Sequence, residues 1–212
     1  MLIDLHTHSY PASDDSFMAV DELIETAKER GLDGVCLTEH DAFWDVAQVQ
    51  ALGKKHRFLV LPGAEINTDG GHLLVFGLQR YVFGMHKPEV LQQLVEQQGG
   101  VIIAAHPYRR RFLLERPQDW NAMLRKAWAD PFFKICHALE TVNGRGSAQE
   151  NRFAGELGAA LALHATGASD AHRVQQLGSA ATRFEKRVDT LEDLITELRA
   201  GRFQPVFSAN GQ

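Results

Sequence analysis

The chain has 212 residues, 44% of them hydrophobic and 23% charged, with a formal net charge of −5. These values describe a foldable globular chain without disorder, low complexity or repeats, and the acidic balance leaves no basic face for wrapping duplex nucleic acid. A small anionic substrate stays open, because a few local cations can hold a phosphate whatever the net charge.

Taken in chain order, a short apolar run predicts a strand at Leu2 to Leu5. A helical pattern follows from Ala19 to Arg30, ended by Gly31. A strand at Gly34 to Thr38 leads to a helix at Trp44 to Lys55, and then come strands at Phe58 to Ile66 and His72 to Leu78. Gln79 to Lys87 reads as an irregular loop before a helix at Pro88 to Gln98, which Gly99 ends. The remaining elements are a strand at Val101 to Ala105, a helix at Gln118 to Trp128 and a strand at Ala138 to Val142. A helix at Ser147 to Leu157, a strand at Leu161 to Ala168 and a last helix at Leu191 to Ala200, ended by Gly201, complete the chain. Ser147 with Glu150, and Thr190 with Asp193, have capping-box spacing.

Strands that alternate with helices imply a parallel sheet, because each crossover needs a covering helix. The expectation is one domain over residues 1 to 212, a closed or nearly closed barrel of seven β/α units. The opening MLIDLHTH has neither a basic stretch nor a long apolar core, and no apolar run could span a bilayer. A cytoplasmic protein without membrane contact is therefore expected, with Cys36 and Cys136 as buried free thiols.

Nearly every predicted strand ends in a residue that can bind a metal. The first ends in His6-Thr7-His8, with Asp14 soon after; the second runs into Thr38-Glu39-His40-Asp41 and the third into Gly63-Ala64-Glu65. The fourth begins at His72, the fifth runs into His106-Pro107, and the seventh into Ser169-Asp170-Ala171-His172. In a parallel barrel the C-terminal strand ends share one rim, where active sites are built. Side chains alternate along a strand, so His-x-His and Asp-x-His each aim two ligands the same way. Imidazole with carboxylate suits zinc, manganese or iron, and no cysteine stands near to form a thiolate site.

A lone histidine is ordinarily a hydrogen-bonded loop or core residue, and four of the ten histidines, His56, His86, His137 and His164, are read that way. The other six fall together with Asp or Glu at strand ends. Chance would scatter some of them onto helix faces, so as an ensemble they point to a metal site.

In order, Asp4-Leu5-His6-Thr7-His8-Ser9, Thr38-Glu39-His40-Asp41, Gly63-Ala64-Glu65-Ile66, His72-Leu73-Leu74, Ala105-His106-Pro107 and Ser169-Asp170-Ala171-His172 resemble the motifs of the polymerase and histidinol phosphatase (PHP) family. The resemblance spans residues 2 to 172. It implies a distorted (β/α)7 barrel holding two or three divalent metal ions and, typically, phosphoester hydrolysis. It also implies His6, His8, Glu65 and Asp170 as ligands of a first metal. Glu65, His72 and His106 would hold a second, with Glu65 bridging, and Asp14, His40 and His172 a third. Asp15 is the alternative to Asp14. Two departures stand out: the family usually has Asp where Glu39 stands, and only Gln79 to Gly100 separates the fourth and fifth strands, too little for a large cap.

Metals about 3.5–4 Å apart can create a nucleophile at neutral pH and neutralise phosphoryl oxygens. The expected reaction is in-line attack on phosphorus by a hydroxide bridging the first two metals, with Glu65, His106 and Asp170 as the catalytic set. Arg109, Arg145 and Arg173 lie where a guanidinium could fork onto phosphate, although each alone reads equally well as a solvated surface arginine. Glu140, closing the sixth strand, is expected to orient a ligand histidine or water rather than to ligate. The expected substrate is a small phosphomonoester or nucleotide-type molecule. An amide or lactone hydrolase, and a non-catalytic metal-stabilised regulatory module, are the competing readings.

Overall fold

The computed structural model describes residues 1–110 and 119–207. Among these residues ten strands form two five-stranded sheets, covered by helices. In the first sheet the order is β10 (Phe203–Phe207), β9 (Ala180–Phe184), β1 (Leu2–Thr7), β2 (Gly34–Leu37) and β3 (Leu59–Pro62). The second holds β4 (Ala64–Thr68), β5 (Gly71–Phe76), β6 (Val101–Ala104), β7 (Ala138–Asn143) and β8 (His164–Ala168). The covering helices are α1 (Val20–Glu29), α2 (Val46–His56), α3 (Pro88–Gln97), α4 (Trp120–Ala129), α5 (Ala148–Leu161) and α6 (Leu191–Ala200). The expected helix start at Gln118 lies outside the described residues.

The barrel-like α/β arrangement is present but distorted, and its barrel is not closed into one continuous ladder. Strands β1, β2 and β3 pair in parallel, as do β6, β7 and β8, while β4, β5 and β6 pair antiparallel. The run predicted as one strand from Phe58 to Ile66 is two strands, broken at Gly63. A Cβ on Gly63 would lie 2.7 Å from Phe76 Cε1 and 3.0 Å from Thr38 Cγ2, so only glycine lets the chain pass here. The break hands the chain from one sheet to the other.

The reversal at β5 explains why His72 begins its strand. Running antiparallel, β5 starts at the rim where β6 ends, and His72 O accepts the Ala105 N–H at 3.1 Å. On the same face of β5 and deeper inside, Leu74 and Phe76 are wholly buried in the interior core with Ile103 and Val101.

At the rim, backbone hydrogen bonds bridge both gaps between the sheets. Glu65 N–H donates to Glu39 O at 3.0 Å, and Asp41 N–H donates to Glu65 O at 2.9 Å. Across the other gap, Asp170 N–H donates to His6 O at 2.8 Å and His8 N–H to Ala171 O at 3.0 Å. Strand β9 takes only the lower part of that edge of β1, pairing with Leu2 and Ile3. Asp4 pegs the same gap: wholly buried, it accepts from the N–H groups of His6, Ser169 and Gly178. Burial pushes its carboxyl up to about 6.

Local signals behave as read. Both capping boxes form, and Gly31, Gly99 and Gly201 take left-handed φ of 76°, 65° and 67°. Helix α5 runs beyond Leu157 to Leu161, through the strong helix formers Ala159 and Ala160, so β8 starts only at His164. Cys36 and Cys136 are buried and unpaired, and no helix among the described residues is long and apolar enough to cross a membrane.

Candidate metal centre

Six elements deliver side chains to the rim. His6 stands near the end of β1 and His8 just beyond it; His40 follows β2, Glu65 and His72 are the second residues of β4 and β5, His106 follows β6, and Asp170 and His172 follow β8. His6, Glu65 and His8 have no exposed surface, and Asp170 is 1% exposed. His106 and Asp170 adopt positive φ, 27° and 55°, which non-glycine residues hold only where the surroundings enforce it.

Glu65 is the hub. Its Oε2 lies 3.1 Å from His6 Nε2, 3.3 Å from His8 Nε2 and 3.1 Å from His40 Nδ1. Its Oε1 lies 2.8 Å from His72 Nδ1 and 2.9 Å from His106 Nε2. One carboxylate thus faces two separate sets of imidazoles, one set per oxygen. Asp170 Oδ1 joins the first set, 3.7 Å from His6 Nε2 and 3.6 Å from His8 Nε2.

A third group gathers at the mouth, where the rings of His40 and His172 flank His8 with centroids 4.4 and 4.2 Å away. The carboxylate that the loop turns to them is that of Asp15, not Asp14: Asp15 Oδ2 is 2.9 Å from His172 Nε2 and 3.6 Å from His40 Nε2. The two neighbours lie side by side on the exposed part of the Ser13–Ser16 turn, so sequence spacing does not separate them. Ser13 and Ser16 point inward while both aspartates are exposed.

These residues fit metal ions by a direct test. His6 Nε2, His8 Nε2, His40 Nδ1 and Glu65 Oε2 are buried without any hydrogen bond, although they face one another. Buried polar atoms almost always find partners, so four orphans of ligand type converging on one spot mark a place for a cation. The donor set of imidazole and carboxylate matches zinc, manganese or iron.

Electrostatics divide the cluster. Burial works to raise Glu65 and Asp170, but the His6 charge and the surrounding imidazoles hold both carboxylates well below the usual range. His6 is held well above the ordinary imidazole value; burial opposes this, and the Glu65, Asp170 and Glu140 carboxylates overcome it. At the mouth, burial and the neighbouring His8 push His172 down to about 4, which favours the neutral ring with one nitrogen bare.

Outside this cluster, Glu140 Oε1 accepts from His6 Nδ1 at 3.0 Å and Oε2 accepts from the His106 N–H at 2.7 Å. Asn143, unassigned from sequence, donates to Glu140 at 2.9 Å and to Asp170 at 3.3 Å. Its one sequence signal is its position two residues before Arg145 at the end of β7. Arg109 Nη1 donates to Asp170 Oδ2, and Arg145 Nη1 lies 3.4 Å from Asp170 Oδ1 and 2.7 Å from His172 Nδ1. Both arginines line a cleft of about 420 Å³ that opens over the cluster. Arg173 lies elsewhere, its guanidinium carbon 4.1 Å above the Phe17 ring. Among the histidines read as structural, His56 is clasped by Asp21 and Glu25, and His137 Nδ1 accepts the Ile102 N–H.

Comparison with known proteins follows the same lines. Residues 4–144 match the family model of the PHP domain, and residues 148–203 match that of the PHP-associated segment. An uncharacterized protein of Methanocaldococcus jannaschii, MJ1587, is 28% identical over 117 residues, which is 51% of this chain and 68% of that protein. The chain is similar to a solved two-domain protein from Bacteroides vulgatus containing a predicted PHP-like metal-dependent phosphoesterase. The TM-score is 0.69 at 20% identity, over 98% of this chain and 65% of that one. It is also similar to an amidohydrolase from Chromobacterium violaceum solved with sulfate and no metal, with a TM-score of 0.63 at 17% identity over 98% of both chains. At these identities the two solved structures share the fold.

Proposed function

The chain belongs to the PHP domain family, and from that premise we propose that this metal-dependent hydrolase cleaves the phosphoester bond of a small phosphomonoester or nucleotide-type substrate. The observation that carries the reading is Glu65, whose two oxygens each face a separate group of imidazoles beneath an open cleft. His6, His8, Asp170 and Glu65 Oε2 would hold one ion, His72, His106 and Glu65 Oε1 a second, and Asp15, His40 and His172 a third. Divalent ions held there supply a nucleophile at neutral pH and the positive charge that phosphoryl oxygens need.

The chain's own groups set the geometry. Glu140 accepts from His6 Nδ1 and so turns Nε2 inward, the arrangement by which a carboxylate raises the basicity of a ligand imidazole. Arg109 and Arg145 end at Asp170 on the cleft wall, where their guanidiniums would grip non-bridging phosphoryl oxygens by charge-assisted hydrogen bonds. Arg173, stacked on Phe17, takes no part in that grip. A cleft of about 420 Å³ lies in the range of small-molecule sites.

The test is a panel of phosphomonoesters, phosphodiesters, lactones and amides assayed with added manganese or zinc. Phosphomonoester turnover well above all other classes is expected. Lactone or amide hydrolysis without phosphoester turnover would move the chain to carbonyl chemistry. A metal-loaded protein inert to the whole panel would leave a regulatory module.

A further inference from the structure

Among the described residues Glu39 has no hydrogen bond or ion pair to a candidate ligand side chain, yet it is wholly buried and gathers four donors. Its Oε1 accepts from Trp44 Nε1–H at 2.9 Å and from the Ser9 hydroxyl; its Oε2 accepts from the Ser9 N–H at 2.9 Å and from the Ser13 hydroxyl at 2.6 Å. Trp44 Nε1–H and the Ser9 N–H can only donate, so both Glu39 oxygens are committed as acceptors.

The consequence falls on Ser13. A serine hydroxyl has a single hydrogen, and here Glu39 takes it. The Ser13 oxygen can then only accept: from the His40 N–H at 3.3 Å, and from His8 Nδ1 at 3.2 Å. Proton counting leaves one assignment for that last contact, with the hydrogen on Nδ1. His8 Nε2 is then the bare nitrogen, and it is one of the buried atoms without a hydrogen bond, 3.3 Å from Glu65 Oε2.

We propose that Glu39 is a positioning residue which, through the Ser13 hydroxyl, fixes the His8 proton on Nδ1 and presents Nε2 to the metal site as a free lone pair. The relay serves His8 as the Glu140 carboxylate serves His6, with one hydroxyl interposed. It also ties the loop carrying Asp15 to the histidine at the centre of the mouth group.

The relay rests on the metal-site reading above, and zinc binding separates the two. In zinc-loaded protein labelled with nitrogen-15 histidine, proton–nitrogen correlation spectra should show the His8 proton on Nδ1, protected from exchange with water. Ser13→Ala should remove that protection and weaken zinc binding roughly ten- to a hundredfold, the usual cost of losing a partner of a ligand histidine. Ser13→Thr, which keeps the hydroxyl, should restore part of both. Glu39→Gln should resemble Ser13→Ala, because an amide cannot accept on both arms; if it fails to fold, Ser13→Ala cuts the same relay. A wild-type His8 protonated on Nε2, or a folded Ser13→Ala protein with unchanged zinc affinity, overturns the relay alone. Wild-type protein that takes up no zinc overturns the metal site and the relay with it.

Discussion

Arg109 and Arg145 reach different oxygens of one carboxylate, Asp170, and that shared endpoint sets their roles apart from the ligands. If they grip the substrate, Arg109→Ala or Arg145→Ala should weaken catalysis without stripping metal. A charge-assisted hydrogen bond contributes about 1.5–3 kcal/mol, so kcat/KM should fall roughly ten- to a hundredfold. Lysine should rescue only partly, because it keeps the charge but cannot fork onto two oxygens. Arg173→Ala should stay near wild type, since its guanidinium is occupied with Phe17. Steady-state kinetics with metal content measured in parallel check all three. Unchanged kcat/KM in both Arg109→Ala and Arg145→Ala would mean that the metals alone hold the phosphate.

Among the elements, the break at Gly63 does most to place the site, since it starts β4 and brings Glu65 to the rim. Gly63→Ala forces a methyl against Phe76 and Thr38. Overpacking of this kind costs about 1–3 kcal/mol, and the strain should also displace Glu65 and lower metal content. Gly155 in α5 is the control: a Cβ there meets nothing within 4 Å. Gly155→Ala should therefore stabilise by about 0.5–1 kcal/mol and leave metal content unchanged. Denaturant unfolding with metal analysis on both variants tests the pair; equal metal content in the two would detach the Gly63 break from the site.

The elements differ in how far they could be read from sequence. Helices with caps were legible because Ser147-Glu150 and Thr190-Asp193 act locally. Strand direction was not, because the β4–β5 hairpin, turning at Asp69-Gly70, sits inside what reads as a βαβα series. Strands β9 and β10 escaped notice for local reasons as well. The first opens with Ala180-Ala181, and the second contains Pro205, which demotes a strand reading and is tolerated here because β10 is an edge.

For the molecule as a whole, residues from 6 to 172 meet at one rim because two sheets are stitched together there by backbone hydrogen bonds at both gaps. The clustering was legible in the sequence, since His, Asp and Glu recur at strand ends where chance would not put them. The supporting layer was not: Asp4, Ser13, Asn143 and the choice of Asp15 depend on contacts between distant segments. The central claim is that Glu65 bridges two metal ions, and metal analysis of wild-type and Glu65→Gln protein tests it most directly. After reconstitution with manganese, zinc or iron, the wild type should hold two or three ions per chain. Folded Glu65→Gln, equal in size but uncharged, should hold fewer and hydrolyse no phosphomonoester. Wild-type protein without bound metal, or Glu65→Gln with a full complement and near-wild-type turnover, would contradict the account.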